Sequence, residues 1–166
     1  MNCPNCGAPM RLRDDAECFS CEYCKTFHFP TKNEEGVGLL GQTSELECPV
    51  CAARLDHAVI YHHRTLYCTT CCGSLISMLV FVSLVDDLRT QLGGATGIPR
   101  PPDPHGLQRR IQCPQCKETM DTHYYGGPGN VIIDDCSRCE LNWLDNGELM
   151  TIVRAPDRSL EETPNW

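Results

Sequence analysis

The chain has 166 residues and a formal net charge of −8, with 14 Lys and Arg against 22 Asp and Glu. A chain of this length ordinarily folds as one domain of roughly 100–200 residues. The acidic excess disfavours binding to bare nucleic acid, which relies on cations that displace counterions from phosphates. It favours contact with a basic protein surface instead. The apolar run at 75–85 is shorter than the about 20 residues that a membrane-spanning helix needs, so we expect no membrane span.

Cysteine is the most informative residue type, because twelve of the 14 cysteines form three repeats. Each repeat has one C-x-x-C pair, a spacer and a second C-x-x-C pair, which together supply the four thiolates of a tetrahedral zinc site. Modules of about 30–45 residues bury too little apolar surface to fold alone, and bound zinc can supply the missing folding energy. We predict three zinc ions per chain, held by Cys3, Cys6, Cys21 and Cys24, by Cys48, Cys51, Cys68 and Cys71, and by Cys113, Cys116, Cys136 and Cys139.

Disulfide bonds are the competing interpretation of so many cysteines. No secretory segment precedes Cys3 in the sequence, and the repeated short spacing suits metal better than a secreted disulfide scaffold. We therefore expect a cytoplasmic protein in a reducing compartment. Cys18 and Cys72 fall outside the three sets, although Cys18 could replace a ligand of the first set through an alternative C-x-x-C pair with Cys21.

The predicted fold is a small metal-stabilised α+β protein of three tandem four-cysteine zinc ribbons. Each ribbon is a β-hairpin with metal knuckles, and helices follow the second and third ribbons. The predicted boundaries are ribbon 1 at 1–30, a linker at 31–47, ribbon 2 at 48–92 with an apolar helix at 75–92, a Gly/Pro-rich linker at 93–112, ribbon 3 at 113–154 with a short C-terminal helix, and a tail at 155–166.

Turn residues place one hairpin in each ribbon, taken here in chain order. The first joins 11–13 to 17–20, and the second joins 55–61 to 65–67. His62 and His63 lie at the tip of the second hairpin, where we predict a solvated turn rather than metal ligands. The third joins 119–125 to 131–135 across a glycine-rich turn.

The helix predicted at 75–92 follows Ser74 as its cap and is apolar on nearly all sides of its first half. A helix of that kind exceeds what one small hairpin can cover. It could pack within its own chain, dock a partner protein or form a homodimer. We expect a homodimer through residues 75–88, and strictly monomeric light scattering would remove this hypothesis.

The third ribbon carries a longer pattern that continues past the last cysteine. Trp143 should pack over the metal site, Asp145 should cap the short helix from 146 to about 154 together with Glu148, and Leu144 should contact Leu149. The segment resembles the transcription factor IIB-type zinc ribbon family, a resemblance that implies a ribbon fold and a zinc ion. The matching residues are Cys113, Pro114, Cys116, Met120, Val131, Ile133, Asp134, Cys136, Cys139, Trp143, Leu144, Asp145, Gly147, Glu148 and Leu149, whereas Glu140 and Leu141 stand where the family commonly has glycines.

Fold alone does not establish a function, so we compare three. Because four cysteines close each predicted site to substrate and water, we favour a non-enzymatic adaptor that binds a protein partner in transcription or other nucleic-acid machinery. A rubredoxin-like iron protein for electron transfer is a lesser alternative. Direct nucleic-acid binding is the main alternative, and it would require a surface shared by Arg11, Arg13, Arg54, Arg64, Arg109, Arg110 and Arg138.

Overall fold

The computed structural model describes residues 1–13, 18–93, 104–126 and 130–156. Residues 157–166 of the predicted tail and residues 94–103 of the second predicted linker lie outside these residues. Its strands form a three-stranded sheet, in the order β1-β2-β3, and a seven-stranded sheet, in the order β4-β5-β6-β7-β10-β9-β8, with all neighbours antiparallel. The strands are β1 (Met10–Leu12), β2 (Phe19–Cys21), β3 (Phe27–His28), β4 (Val37–Glu47), β5 (Arg54–Ile60), β6 (His63–Tyr67), β7 (Ser74–Ser77), β8 (Asp121–Tyr124), β9 (Ile132–Cys136) and β10 (Leu141–Leu144).

Ribbon 1 packs against the large sheet. The predicted hairpin is present as β1 and β2, with Leu12 opposite Phe19, and β3 adds a third strand that was not predicted from the sequence. The core of this ribbon includes Leu40 of β4 and Val59 of β5. Apolar contacts therefore join ribbon 1 to the rest of the protein.

The segment 31–47, predicted as a linker, contains β4, the longest strand. Its entry turn is held by Asn33, whose Oδ1 accepts hydrogen bonds from the backbone N–H of Glu35 at 3.0 Å and of Val37 at 2.9 Å. Glycines and acidic residues suggested a linker, but Val37 and Leu40 are buried and β4 pairs with β5 along its length, with two register irregularities. The linker assignment is thus wrong for this strand.

Ribbons 2 and 3 share one sheet because β7 of ribbon 2 pairs with β10 of ribbon 3, with Leu75 opposite Trp143. The predicted helix at 75–92 consequently begins too early. Ser74–Ser77 is a strand, and helix α1 (Met78–Gln91) begins after Ser77, whose Oγ accepts from the Val80 N–H at 3.3 Å. A continuous apolar run does not distinguish a buried strand from a buried helix, and this strand is enclosed between β6 and β10.

The second helix, α2 (Glu148–Arg154), differs from its prediction in its cap. Gly147, with φ of 80°, is the N-cap residue, and the Asp145 side chain makes no capping bond. Half of the predicted capping box is present, since Glu148 Oε2 accepts from the Asp145 N–H at 2.7 Å. Leu144 and Leu149 share one core as predicted. A 3₁₀ turn, Gly106–Gln108, precedes ribbon 3.

The two faces of the large sheet carry different cores. Both helices pack on one face, and their buried residues belong to the same apolar cluster as Ile76 and Leu144. The neighbouring residues Leu75 and Trp143 point to the opposite face, where they join the cysteines of ribbons 2 and 3. No helix within the described residues is long and apolar enough to cross a membrane.

Candidate metal centres

Six metal knuckles, each a C-x-x-C pair with the two residues that follow it, share one backbone geometry. In five of them the residue after the second cysteine donates its N–H to the carbonyl of the first cysteine, over 2.8–3.0 Å. That following residue has φ between 54° and 74° in all six, a left-handed conformation that bends the chain back under the metal position. The six left-handed residues are Gly7, Lys25, Ala52, Cys72, Lys117 and Glu140.

This geometry accounts for two residues that the sequence left unexplained. Cys72 occupies the left-handed position of the fourth knuckle, and Glu140 occupies that of the sixth. Glycine adopts this conformation without the steric penalty that a Cβ atom brings. Glutamate at position 140 therefore keeps the turn of the knuckle but adds the steric penalty of a Cβ atom.

The structure brings together the twelve cysteines in the predicted sets of four, with all Sγ atoms of a set within 4.8 Å of one another. The Sγ–Sγ distance is 3.4–3.6 Å in five cysteine pairs: Cys3–Cys24, Cys6–Cys21, Cys48–Cys71, Cys51–Cys68 and Cys116–Cys136. Tetrahedral zinc, with Zn–S bonds of about 2.3 Å, separates its sulfurs by about 3.8 Å, whereas a disulfide bond is about 2.05 Å. The structure therefore contains three four-cysteine sites that are compatible with three zinc ions.

Cys18 lies outside the first set. It is buried, 2% exposed, just before β2, and Cys21 and Cys24 complete the set with Cys3 and Cys6. The alternative register through Cys18 is not adopted, because the knuckle turn that ends at Lys25 positions Cys21 and Cys24.

Each set contains one thiol with a lowered pKa, which favours the thiolate that zinc binds. Hydrogen bonds from the hydroxyl and backbone N–H of Thr26 lower the pKa of Cys24 to about 5. Burial raises the pKa of Cys68, but backbone N–H bonds offset this effect and lower it to about 7. The N–H of Glu118 lowers the pKa of Cys116. Hydrogen bonds from the Thr26 hydroxyl and from knuckle N–H groups thus stabilise negative charge on one sulfur of each set.

Trp143 joins the second and third metal centres, which extends its predicted role at the third. Its ring is fully buried in a cluster that contains Cys48 and Cys68 of one centre and Cys113 and Cys136 of the other. Gly73, which follows the fourth knuckle, lies so close that a Cβ atom there would come within 2.2 Å of Trp143 Cζ2. The indole ring therefore requires glycine at this position.

A polar network beside Trp143 was not predicted from the sequence, in which Arg109 lies in the predicted Gly/Pro-rich linker. Arg109 forms a two-point ion pair with Asp145 and approaches Asp134 Oδ2 at 3.6 Å. Asp145 Oδ1 also accepts from Trp143 Nε1 at 2.9 Å. Burial raises the pKa of Asp134, and burial raises that of Glu148 to about 7. Only the three-dimensional pairing of ribbon 3 with the preceding segment brings these groups together.

The arginines named as nucleic-acid candidates are largely engaged within the chain. Four of them pair with carboxylates: Arg11 with Glu22, Arg54 with Glu45, Arg109 with Asp134 and Asp145, and Arg138 with Glu118. Arg110 donates to the backbone carbonyls of Leu107 and Arg109, and the Arg13 guanidinium lies 5.9 Å from the centre of the Phe27 ring.

Several large apolar side chains are exposed on the described surface. On α1, Leu79 is 81% exposed and Val82 is 58% exposed, one helical turn apart. Ribbon 1 exposes Tyr23, Phe27 and Phe29. Ribbon 1 and α1 therefore each expose apolar side chains within the part of the chain that the structure describes.

Comparison with family models supports the resemblance of the third ribbon. Residues 112–155 match a family model of the TFIIB zinc-ribbon type, described as a transcription factor zinc-finger. The match confirms the predicted family for this segment, roughly a quarter of the chain. Comparison of the chain with curated proteins found no match, and comparison with solved structures found none either.

Proposed function

We propose that this chain is a non-enzymatic, cytoplasmic zinc-ribbon adaptor that binds a protein partner in transcription or other nucleic-acid machinery. The observation that carries the proposal is the contrast between engaged arginines and exposed apolar side chains on a chain of net charge −8. Zinc bound by four thiolates holds structure and offers no open coordination position. The functional surface is then the one that the metal centres support.

Electrostatics favours a protein partner over bare nucleic acid. Every exposed arginine that pairs with a carboxylate of its own chain must give up that partner to neutralise a phosphate. Four zinc-bound thiolates add a net −2 at each centre, so the loaded protein is more acidic than its sequence. Nucleic-acid affinity that arises from counterion release needs the opposite charge balance.

Helix α1 is our candidate docking surface, through Leu79 and Val82. Leu75 and Ile76 belong to a buried strand, and the inner face of α1 packs on the sheet, so the proposed contact is narrower than residues 75–88. Burying two such side chains contributes about 1.5–3 kcal/mol each. A second copy of this chain can also use this face, which keeps the homodimer as a proposal.

The test changes this face alone. The double variant Leu79→Lys/Val82→Lys should lose partners captured by crosslinking to the wild-type protein, with affinity reduced by about tenfold or more. Thr90→Lys is the control for added charge, because Thr90 is exposed on the same helix and the substitution adds one of the two charges that the double variant gains. Both variants should retain three zinc ions by elemental analysis. Equal capture by all three proteins would contradict α1 as the docking surface, and light scattering of the same proteins tests the homodimer.

A gel-shift titration at low salt tests the alternative function. The proposal expects weak binding to duplex and single-stranded probes alike. Tight binding that falls steeply with added salt would overturn the preference for a protein partner.

A further inference from the structure

A cluster outside the cysteine centres joins the tip of the β5–β6 hairpin to helix α1. His63 Nε2 lies 2.8 Å and His62 Nε2 lies 3.1 Å from the same oxygen, Oδ2 of Asp87. All three potential ligand atoms lie within 4.8 Å of one another. His62 and His63, which were predicted to form a solvated turn, thus face a carboxylate on a neighbouring element.

The carboxylate oxygen can accept one N–H from each neutral ring, or all three atoms can turn their lone pairs to a cation. One carboxylate oxygen faces both imidazole rings, whose centres are only 4.3 Å apart. If both rings carried a proton on each nitrogen, two like charges would stand side by side against one negative charge, which costs energy. A cation placed between the three atoms would instead use a lone pair from each of them.

The donor set suits a divalent transition metal ion. Zinc accepts imidazole nitrogen at about 2.0–2.1 Å and carboxylate oxygen at about 2.0–2.2 Å, which separates tetrahedral ligands by about 3.4 Å. The observed separations of 2.8 and 3.1 Å need to open by about 0.6 and 0.3 Å to reach this value. His62 and Asp87 are partly exposed, so their side chains can make this adjustment.

We propose that His62, His63 and Asp87 form a fourth metal site, which binds Zn²⁺ through three protein ligands and leaves one position open. The site differs in kind from the three cysteine centres, because it is formed at the surface and exchanges its ion with solution. Its ligands come from the hairpin and from α1, so bound zinc fixes the helix that carries Leu79 and Val82. The inference does not depend on what that helix binds.

The experiment is equilibrium dialysis of the intact protein, with its cysteine centres loaded, against buffers of rising free Zn²⁺. Elemental analysis should show three zinc ions per chain at low free zinc and four at high free zinc. Asp87→Asn and His62→Ala should bind the fourth ion at least about tenfold more weakly, since even residues behind the ligands of a metal site contribute tenfold or more. Both variants should still hold three ions, which shows that they fold.

Two controls separate this site from general histidine binding. His57→Ala removes an exposed histidine from the same hairpin, and His123→Ala removes one that pairs with a single carboxylate, Asp135, at 2.6 Å. Both controls should bind the fourth ion as the wild type does. A wild-type plateau at three ions would overturn the proposal, and so would a fourth ion that the Asp87 and His62 variants retain at full affinity.

Discussion

Replacing Gly73 by alanine should disrupt the joint between ribbons 2 and 3. The added Cβ atom would lie 2.2 Å from Trp143 Cζ2 and 2.8 Å from Cη2. Carbon atoms in contact are normally about 3.5–4.0 Å apart, so the ring must withdraw by more than about 1 Å. It cannot do so freely, because Trp143 is fully buried and its Nε1 donates to Asp145 over 2.9 Å.

The magnitude follows from two effects of this displacement. Overpacking of a well-filled core costs about 1–3 kcal/mol, and loss of the indole hydrogen bond costs about 1 kcal/mol more. We expect the free energy of unfolding to fall by about 2–4 kcal/mol. Truncation by Trp143→Ala should cost about 3–5 kcal/mol, since it removes the whole ring.

Urea denaturation in zinc-containing, reducing buffer measures the effect. Trp143 fluorescence reports directly on the joint in a Trp166→Phe background, because these are the two tryptophans of the chain. Gly126→Ala is the matched control, since a Cβ atom there meets nothing within 4 Å. If Gly73→Ala and Gly126→Ala unfold at the same urea concentration, the reasoning about Trp143 is refuted.

Two further substitutions test the knuckle backbone and the buried acid. The Ala52→Gly variant should be more stable than the Ala53→Gly variant by about 1–2 kcal/mol in urea denaturation. Both substitutions raise the entropy of the unfolded chain, but only Ala52→Gly removes a Cβ atom from a residue in the left-handed conformation. Equal stabilities of the two variants would contradict a strained knuckle. Burial raises the pKa of Glu148 from 4.5 in the unfolded chain to about 7 in the folded protein. The folded protein therefore holds this proton more tightly than the unfolded chain does, and the free energy of unfolding falls as the pH rises from about 4.5 to about 7. Glu148→Gln should therefore exceed the wild type by on the order of 2 kcal/mol at pH 8 and by less at pH 6, and a difference independent of pH would exclude Glu148 as the cause.

The sequence predicts the metal centres well because the information is local. A C-x-x-C pair with its turn is complete within six residues, and each knuckle makes its own backbone bonds around Cys48, Cys68 or Cys113. The hairpins are similarly local, since turn residues separate their strands. The same local signals identify the third ribbon up to Glu148 and Leu149.

Features that depend on distant pairing were not predictable in this way. Leu75 and Trp143 face each other across 68 positions of sequence, and nothing near either residue signals the contact. The apolar run at 75–85 reads equally as strand or helix until β10 is known to lie beside its first residues. Arg109 similarly looks like a linker charge until ribbon 3 brings Asp145 to it.

The metal centres and the exposed face of α1 lie on opposite faces of the large sheet, but the backbone connects them. The helix begins directly after β7, and its first residue, Met78, donates its N–H to the carbonyl of Glu140 in the sixth knuckle at 2.8 Å. At its other end Arg89 donates to the carbonyl of Ile152 at 3.3 Å, beside the end of α2. Loss of zinc from the third centre would release the Glu140 turn and with it the start of α1. The position of Leu79, one residue further along, therefore depends on a knuckle that it does not touch.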